Sequence, residues 1–138
     1  LDFATTTVSG TAPNVVVTKG NLRGKRVEYA PQQIHNVGLT YLYKGFAATA
    51  QYRYTGAVYS DAGNTETASI DGLVGKIAGY GIFDLSATYQ FLSCYNVKAG
   101  VNNISDEKYA TRRATGYPGP GLIPGEGRTF YISVGAKF

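Results

Sequence analysis

The sequence predicts an all-β chain, an antiparallel up-and-down meander of about six strands. Three observations predict it. Apolar and polar residues alternate with a period of two along five runs. The connections between those runs are by turns tight and long. Aromatic residues gather toward the ends of the runs, and the polar positions hold Gly, Ser, Thr, Asn and Gln with few charges.

In order along the chain, the first clear run places Val37, Leu39, Tyr41 and Tyr43 on one parity and Gly38, Thr40 and Leu42 on the other. The second sets Phe46, Ala48, Ala50, Tyr52 and Tyr54 against Ala47, Thr49, Gln51 and Arg53. The third sets Phe83, Leu85, Ala87, Tyr89 and Phe91 against Asp84, Ser86, Thr88 and Gln90. The fourth sets Tyr95, Val97, Ala99 and Val101 against Asn96, Lys98, Gly100 and Asn102. The last sets Phe130, Ile132, Val134, Ala136 and Phe138 against Thr129, Tyr131, Ser133, Gly135 and Lys137. A weaker run lies within Leu1–Gly10 and has no assignable faces. Tyr43-Lys44-Gly45-Phe46 and Phe91-Leu92-Ser93-Cys94-Tyr95 read as tight hairpins. Gly10–Gln33, Gly56–Gly79 and Asn103–Gly127 read as long loops rich in Gly, Pro and Asn.

Composition excludes several classes. The 138 residues contain no run of ~18 apolar residues, so a helical membrane protein is excluded. The net charge of +4 comes from basic residues scattered singly, with Arg23-Gly-Lys25-Arg26 and Arg112-Arg113 as the only clusters, so nucleic acid is not an expected partner. One cysteine, Cys94, and one histidine, His35, leave no intrachain disulfide and no metal cage, and neither has a catalytic partner at a useful spacing. Residues 116–127 are glycine-rich but lack the Gly-Lys-Ser/Thr ending of a phosphate loop, and their prolines remove backbone donors. Leu1 at the start and the absence of Met predict a piece of a longer chain.

Long structureless loops are uncommon in compact domains. Membrane-spanning β-barrels have them, joined to short turns at the opposite end, with strands that alternate apolar-out and polar-in. In that reading Tyr43, Phe46, Tyr89, Phe91, Tyr95 and Phe138 form an aromatic girdle beside the tight turns. Tyr52, Tyr54, Tyr59, Tyr80, Phe83 and Phe130 form a second girdle toward the long loops. Tyr89, Val97, Ala99, Ile132 and Val134 then face lipid, and Thr88, Lys98, Ser133, Lys137 and Asp84 face inward. Segments 34–43 and 80–91 descend toward the periplasm, 46–59 and 94–104 ascend, and the final strand descends. The alternative is a small stand-alone β-barrel or β-sandwich acting as a binding or adhesion module.

Three motifs carry a family resemblance. Gly100-Val-Asn-Asn-Ile-Ser-Asp-Glu-Lys-Tyr109 resembles the G-V-x-N-(L/I)-x-D-x-x-Y signature of TonB-dependent outer-membrane receptors. Gly127-Arg-Thr-Phe-Tyr-Ile-Ser-Val-Gly-Ala-Lys-Phe138 is similar to that family's last strand. Gly24-Lys-Arg-Val-Glu-Tyr-Ala-Pro31 resembles its loop before a descending strand. The stretches 71–85 and 111–125 look like the ferric dicitrate receptor branch. The resemblance spans residues 20–138.

It implies a barrel of about 22 strands filled by a plug domain, of which residues 1–138 are one partial domain, the C-terminal portion of the wall. The plug and the TonB-contacting segment fall outside this sequence. The resemblance further implies a bacterial outer-membrane receptor, not an enzyme and without a cofactor. Such a receptor binds a ferric siderophore or similar anionic iron chelate, here ferric citrate-like, and imports it with energy from the TonB protein. The barrel-assembly machinery and outer-membrane lipid are its other implied partners, with Phe130, Ile132, Val134, Ala136 and Phe138 as the C-terminal assembly signal.

Arginine forks match carboxylates, and charge at a cavity mouth speeds capture of an anion. Arg112, Arg113 and Arg128 in the last long loop are therefore the expected ligand contacts, Arg112 and Arg113 as a clamp. Arg53 is expected to face the lumen, with Lys19, Arg23, Lys25 and Arg26 in the first loop as further positive charge.

Overall fold

The computed structural model describes residues 4–10, 16–92, 94–116 and 119–137. Its strands are β1 (Ala4–Ser9), β2 (Val16–Asn21), β3 (Ile34–Tyr43), β4 (Phe46–Thr55), β5 (Val58–Tyr59), β6 (Lys76–Ile77), β7 (Tyr80–Phe91), β8 (Tyr95–Asn102), β9 (Ala110–Ala114), β10 (Gly121–Pro124) and β11 (Thr129–Ala136). Five of them form one antiparallel sheet in the order β11-β8-β7-β4-β3, an up-and-down meander. The other six form three two-stranded hairpins, β1–β2, β5–β6 and β9–β10.

The register follows the period-two pattern. Leu39 lies opposite Ala50, Ala50 opposite Leu85, Leu85 opposite Val101, and Val101 opposite Phe130. One row across the whole sheet is therefore apolar. The adjacent row, Gly38, Gln51, Asp84, is polar, and the two rows point to opposite faces. Tyr89, Val97, Ala99, Ile132 and Val134 share the apolar face, while Thr88, Lys98 and Ser133 share the polar one. Lys137 follows directly after β11 and Phe138 lies outside the described residues.

The turns lock this register. Lys44 and Gly45 have φ of 41° and 81°, the paired positive values of a two-residue hairpin whose twist matches its strands. Gln90 N–H donates to Gly45 O at 2.8 Å, and Lys137 N–H to Cys94 O at 2.8 Å, so each turn is also bonded to the end of the neighbouring strand. On the apolar face at this end, Phe91 stacks between Tyr89 (6.1 Å) and Tyr95 (5.5 Å), and Lys44 lies over the Tyr43 ring. This is the expected girdle beside the tight turns.

The second girdle is smaller than expected. Tyr52, Tyr54, Phe83 and Phe130 are on the apolar face. Tyr80 has the opposite parity and stacks on Tyr109 at 4.1 Å, and Tyr59 is buried among loop residues. The weak run within Leu1–Gly10 is a strand, β1, but it pairs with Val16–Asn21, a segment expected to be loop, and not with the meander. Alternation in 16–21 is masked by polar residues on both parities, so no face is legible.

No helix of the described residues is long and apolar enough to cross a membrane. A β-sandwich would bury the apolar face beneath a second sheet, yet Val37, Leu39, Tyr41, Ile132 and Val134 are all exposed.

Candidate functional site

The long connections do not hang free of one another. Gly56 N–H donates to Gln33 O at 2.8 Å and Tyr29 N–H to Tyr59 O at 2.8 Å, joining loop 22–33 to the hairpin β5–β6. Arg26 and Asn64 bond reciprocally: Arg26 N–H to Asn64 Oδ1 at 2.6 Å, Asn64 Nδ2 to Arg26 O at 2.9 Å. Beside them the Tyr59 hydroxyl donates to Glu66 Oε1, and Lys76 Nζ donates to Glu66 Oε2 at 2.9 Å. Arg26 and Lys76 both approach the Tyr59 ring, at 5.8 and 5.7 Å from its centroid. Lys76, and then the Tyr59 hydroxyl, hold the Glu66 carboxyl below its ordinary range. The same carboxylate raises Tyr59 and Lys76.

Loop 103–127 is tied down by Asn103, which is only 2% exposed and sits at φ 52°, a left-handed conformation Asn tolerates. Its backbone N–H donates to Asp84 Oδ1 at 2.8 Å. Its side chain accepts from Glu107 N–H at 2.8 Å and donates to Glu107 O and Glu126 O at 3.0 and 3.2 Å. Asp84 also receives Arg53 Nη2 at 3.0 Å. One polar chain, Arg53–Asp84–Asn103, thus runs from the polar face of the sheet into the loop. Asp106 gathers the same loop, accepting Arg128 N–H at 3.1 Å and Lys108 Nζ at 2.9 Å. Lys108, then the Arg128 amide, keeps its carboxyl below the ordinary range. Asn103 is the fixed Asn of the G-V-x-N signature, but its anchoring role was not read from the sequence, where the local signal is only an Asn at a strand end, a residue that favours turns.

The arginines singled out by sequence have separate tasks. Arg112 is exposed and its guanidinium has no partner among the described residues. Arg113 is 8% exposed, and its Nε and Nη1 donate to Gly75 O and Gly72 O at 3.3 and 3.1 Å. The two are neighbours on β9, so their side chains leave opposite faces of the strand. A clamp made by both on one ligand therefore does not match this geometry. Alternation was not legible here because Ala-Thr-Arg-Arg-Ala has no apolar parity. Arg128 Nη2 lies 3.9 Å from Asp106, and Arg53 belongs to Asp84. In the first loop Arg23 and Lys25 are exposed, Arg26 belongs to the Tyr59 cluster, and the side chain of Lys19 lies outside the described part.

Two further residues are plainly accounted for. His35 stacks on Tyr54 at 6.0 Å, and no metal-binding cluster occurs among the described residues. Cys94 donates its thiol to Leu92 O at 3.0 Å within the tight turn.

This architecture recurs in solved structures. The unliganded ferric citrate transporter FecA superposes with a TM-score of 0.76 at 24% identity, over 90% of this chain and 20% of that one. The ferric-catecholate import receptor Fiu from K12 E. coli gives 0.66 at 20% identity, over 90% of this chain and 18% of its own. The copper transporter OprC gives 0.62 at 22% identity, over 90% and 20%. The chain thus spans about a fifth of each of these proteins, which are described as handling different cargoes, so the likeness is one of fold. The sequence model of the TonB-dependent receptor-like β-barrel matches residues 2–104, and the chain belongs to that family of outer-membrane receptor barrels, which are not enzymes.

Proposed function

We propose that this chain is the C-terminal section, residues 1–138, of the barrel wall of a receptor that takes up an anionic ferric chelate, a carboxylate-rich one of the ferric citrate kind. The apolar face of the meander meets lipid and the polar face meets the plug-filled lumen. The long loops face outward and meet the chelate first. Import is driven by the TonB protein, met by segments outside this sequence, and no bond of the cargo is made or broken. Phe130, Ile132, Val134, Ala136 and Phe138 serve as the terminal signal for the barrel-assembly machinery.

The observation that supports the substrate class is Arg112: an exposed guanidinium with no partner among the described residues, on a loop anchored at both ends. Holding a long flexible cation in water gains nothing for the fold, whereas a guanidinium offers a planar fork to a carboxylate. Arg128 and Arg53 add positive charge from positions already engaged with Asp106 and Asp84.

The test is ferric dicitrate binding to the full-length receptor at two salt concentrations. Arg112→Ala is expected to weaken binding about tenfold at low salt, the lower end of a charge-assisted hydrogen bond reduced by screening. Arg112→Lys should recover only part of it. Equal affinity of wild type and Arg112→Ala at low salt would show that Arg112 is surface charge.

A further inference from the structure

We infer that Arg113 is a positioning residue, which locks loop 103–127 onto loop 56–79 and thereby sets the direction of Arg112. The inference rests on the anion-binding reading of Arg112. Arg113 is the one buried guanidinium among the described residues, and it donates to two carbonyls of a different loop, Gly72 O and Gly75 O. Burying an arginine is costly unless its donors are met, so its placement fixes where both loops lie.

The receiving turn is built for close approach. Ser69 N–H donates to Val74 O at 3.0 Å, Gly72 N–H to Ser69 O at 2.9 Å, and Val74 N–H to the Ser69 hydroxyl at 3.0 Å. Gly75 has φ +134°, and a Cβ there would meet Ala68 Cα at 2.7 Å and Arg113 Nη2 at 3.2 Å. From the other side the Ser60 hydroxyl contacts both N and O of Gly75 at 3.0 Å. Residues 60, 69–75 and 113 therefore form one packed unit. Tyr80, at the foot of β7, stacks on Tyr109 just before β9 and extends it. Because successive side chains of a strand alternate, seating Arg113 in this unit turns Arg112 away from it. The lock leaves a single cation presented, with its strand held from behind.

The full-length receptor tests this through two readouts, amide hydrogen exchange in segments 69–75 and 108–114, and ferric dicitrate affinity. Arg113→Ala is expected to speed exchange tenfold or more in both segments, leave β3, β4, β7, β8 and β11 unchanged, and weaken ferric dicitrate binding. Arg113→Lys, which keeps the charge but cannot reach the two carbonyls with a planar fork, should fall between. Arg112→Ala should weaken binding without changing exchange, and in that background Arg113→Ala should cause no further loss, since it acts through Arg112. Unchanged exchange in 69–75, faster exchange across the meander as well, or an additive loss in the double variant would each overturn the positioning role. Should Arg113→Ala fail to fold, Ser60→Ala loosens Gly75 while leaving Arg113 in place. Joint acceleration of both segments supports the lock, and acceleration confined to 69–75 overturns it. If exchange responds as expected but neither Arg112→Ala nor Arg113→Ala alters affinity, the lock stands and the anion-binding reading fails.

Discussion

The meander and the loop layer at its end solve opposite problems with the same chain. In the meander, apolar side chains are exposed: Leu39 is 75% and Ile132 74% accessible. In the loops a few groups are buried instead, Ile77 at 3% and the polar Asn103 at 2%, although Val27 and Ile70 stay exposed. A sheet designed for water hides its apolar face against a second layer, whereas one designed for lipid needs only its backbone groups satisfied and its apolar face left open. In the proposed placement the loops lie outside the lipid. They fold as small soluble proteins do, around a few buried groups whose hydrogen bonds are complete. The aromatic residues mark the border: Tyr52 and Tyr54 belong to the sheet's apolar face, while Tyr59, four residues beyond β4, is already buried in loop packing.

The largest expected effect tests the two faces directly. Ala99 and Ser86 lie near mid-sheet on opposite faces, within the β7–β8 pairing. Arg at position 99 should cost the folded barrel ~2–4 kcal/mol, the cost of a lipid-facing cation near the midplane. Arg at position 86, facing Gln51, Lys98 and Tyr131 in a polar hollow, should cost far less. Denaturant titration of the receptor in lipid vesicles reads both. Equal costs at the two positions would erase the distinction between lipid and lumen faces.

The same contrast explains what was legible in the sequence. Leu39, Ala50, Leu85, Val101 and Phe130 could be placed in one row because that parity holds almost nothing polar, as the proposed lipid-facing placement requires, so the period-two signal is clean. The turns at Lys44-Gly45 and 92–94 then set the register. Inside the loops the signal disappears. Strands β5 and β6 are two residues each, and β9 carries Arg112 and Arg113 side by side, where nothing local says which one is buried. That choice is made by Gly72 and Gly75, about forty residues earlier in the chain. Asp84 and Arg53 were assignable to the inward face by parity, but their ion pair is diagonal: Asp84 lies opposite Gln51, and Arg53 opposite Ile82.

A smaller effect should follow from removing the knot that joins sheet to loop. Asn103→Gly deletes the side chain but keeps the positive φ accessible, leaving Glu107 N–H without its acceptor at a part-buried position. The expected loss is about 1–3 kcal/mol of local stability, confined to loop 103–127. Asn103→Ala should cost about 1–2 kcal/mol more, since a Cβ disfavours the left-handed backbone. Hydrogen exchange at Glu107 and across β9 measures the difference, with the β7–β8 ladder as internal control. If the ladder opened in step with the loop, the two regions would be one cooperative unit and the contrast between them would fail.

The smallest effect belongs to the cluster of Tyr59, Glu66 and Lys76, because its charged members stand partly open to water, Glu66 at 64% and Lys76 at 38%, over the buried Tyr59. The Glu66 carboxyl is held below its ordinary value of 4.5, so its contribution is complete above that value and is lost as pH falls through the lowered one. Tyr59 and Lys76 are raised, so theirs is complete below the ordinary 10.0 and 10.5 and is lost only as pH climbs past the raised values. The cluster is thus at full strength across neutral pH and has one accessible failure, in acid. Spin labels at Glu28 and Ala62 on the full-length receptor span the junction of loop 22–33 with loop 60–66, which Arg26 and Asn64 also hold. Their distance distribution should stay narrow from neutral pH down past the ordinary 4.5 and broaden only as pH falls through the lowered value, where the carboxylate is protonated. Glu66→Gln should be broadened at every pH, with no acid step. A distribution in Glu66→Gln as narrow as wild type at neutral pH would assign the junction to the Arg26–Asn64 bonds and the backbone bonds of Tyr29 and Gly56, leaving the ion cluster as solvated charge.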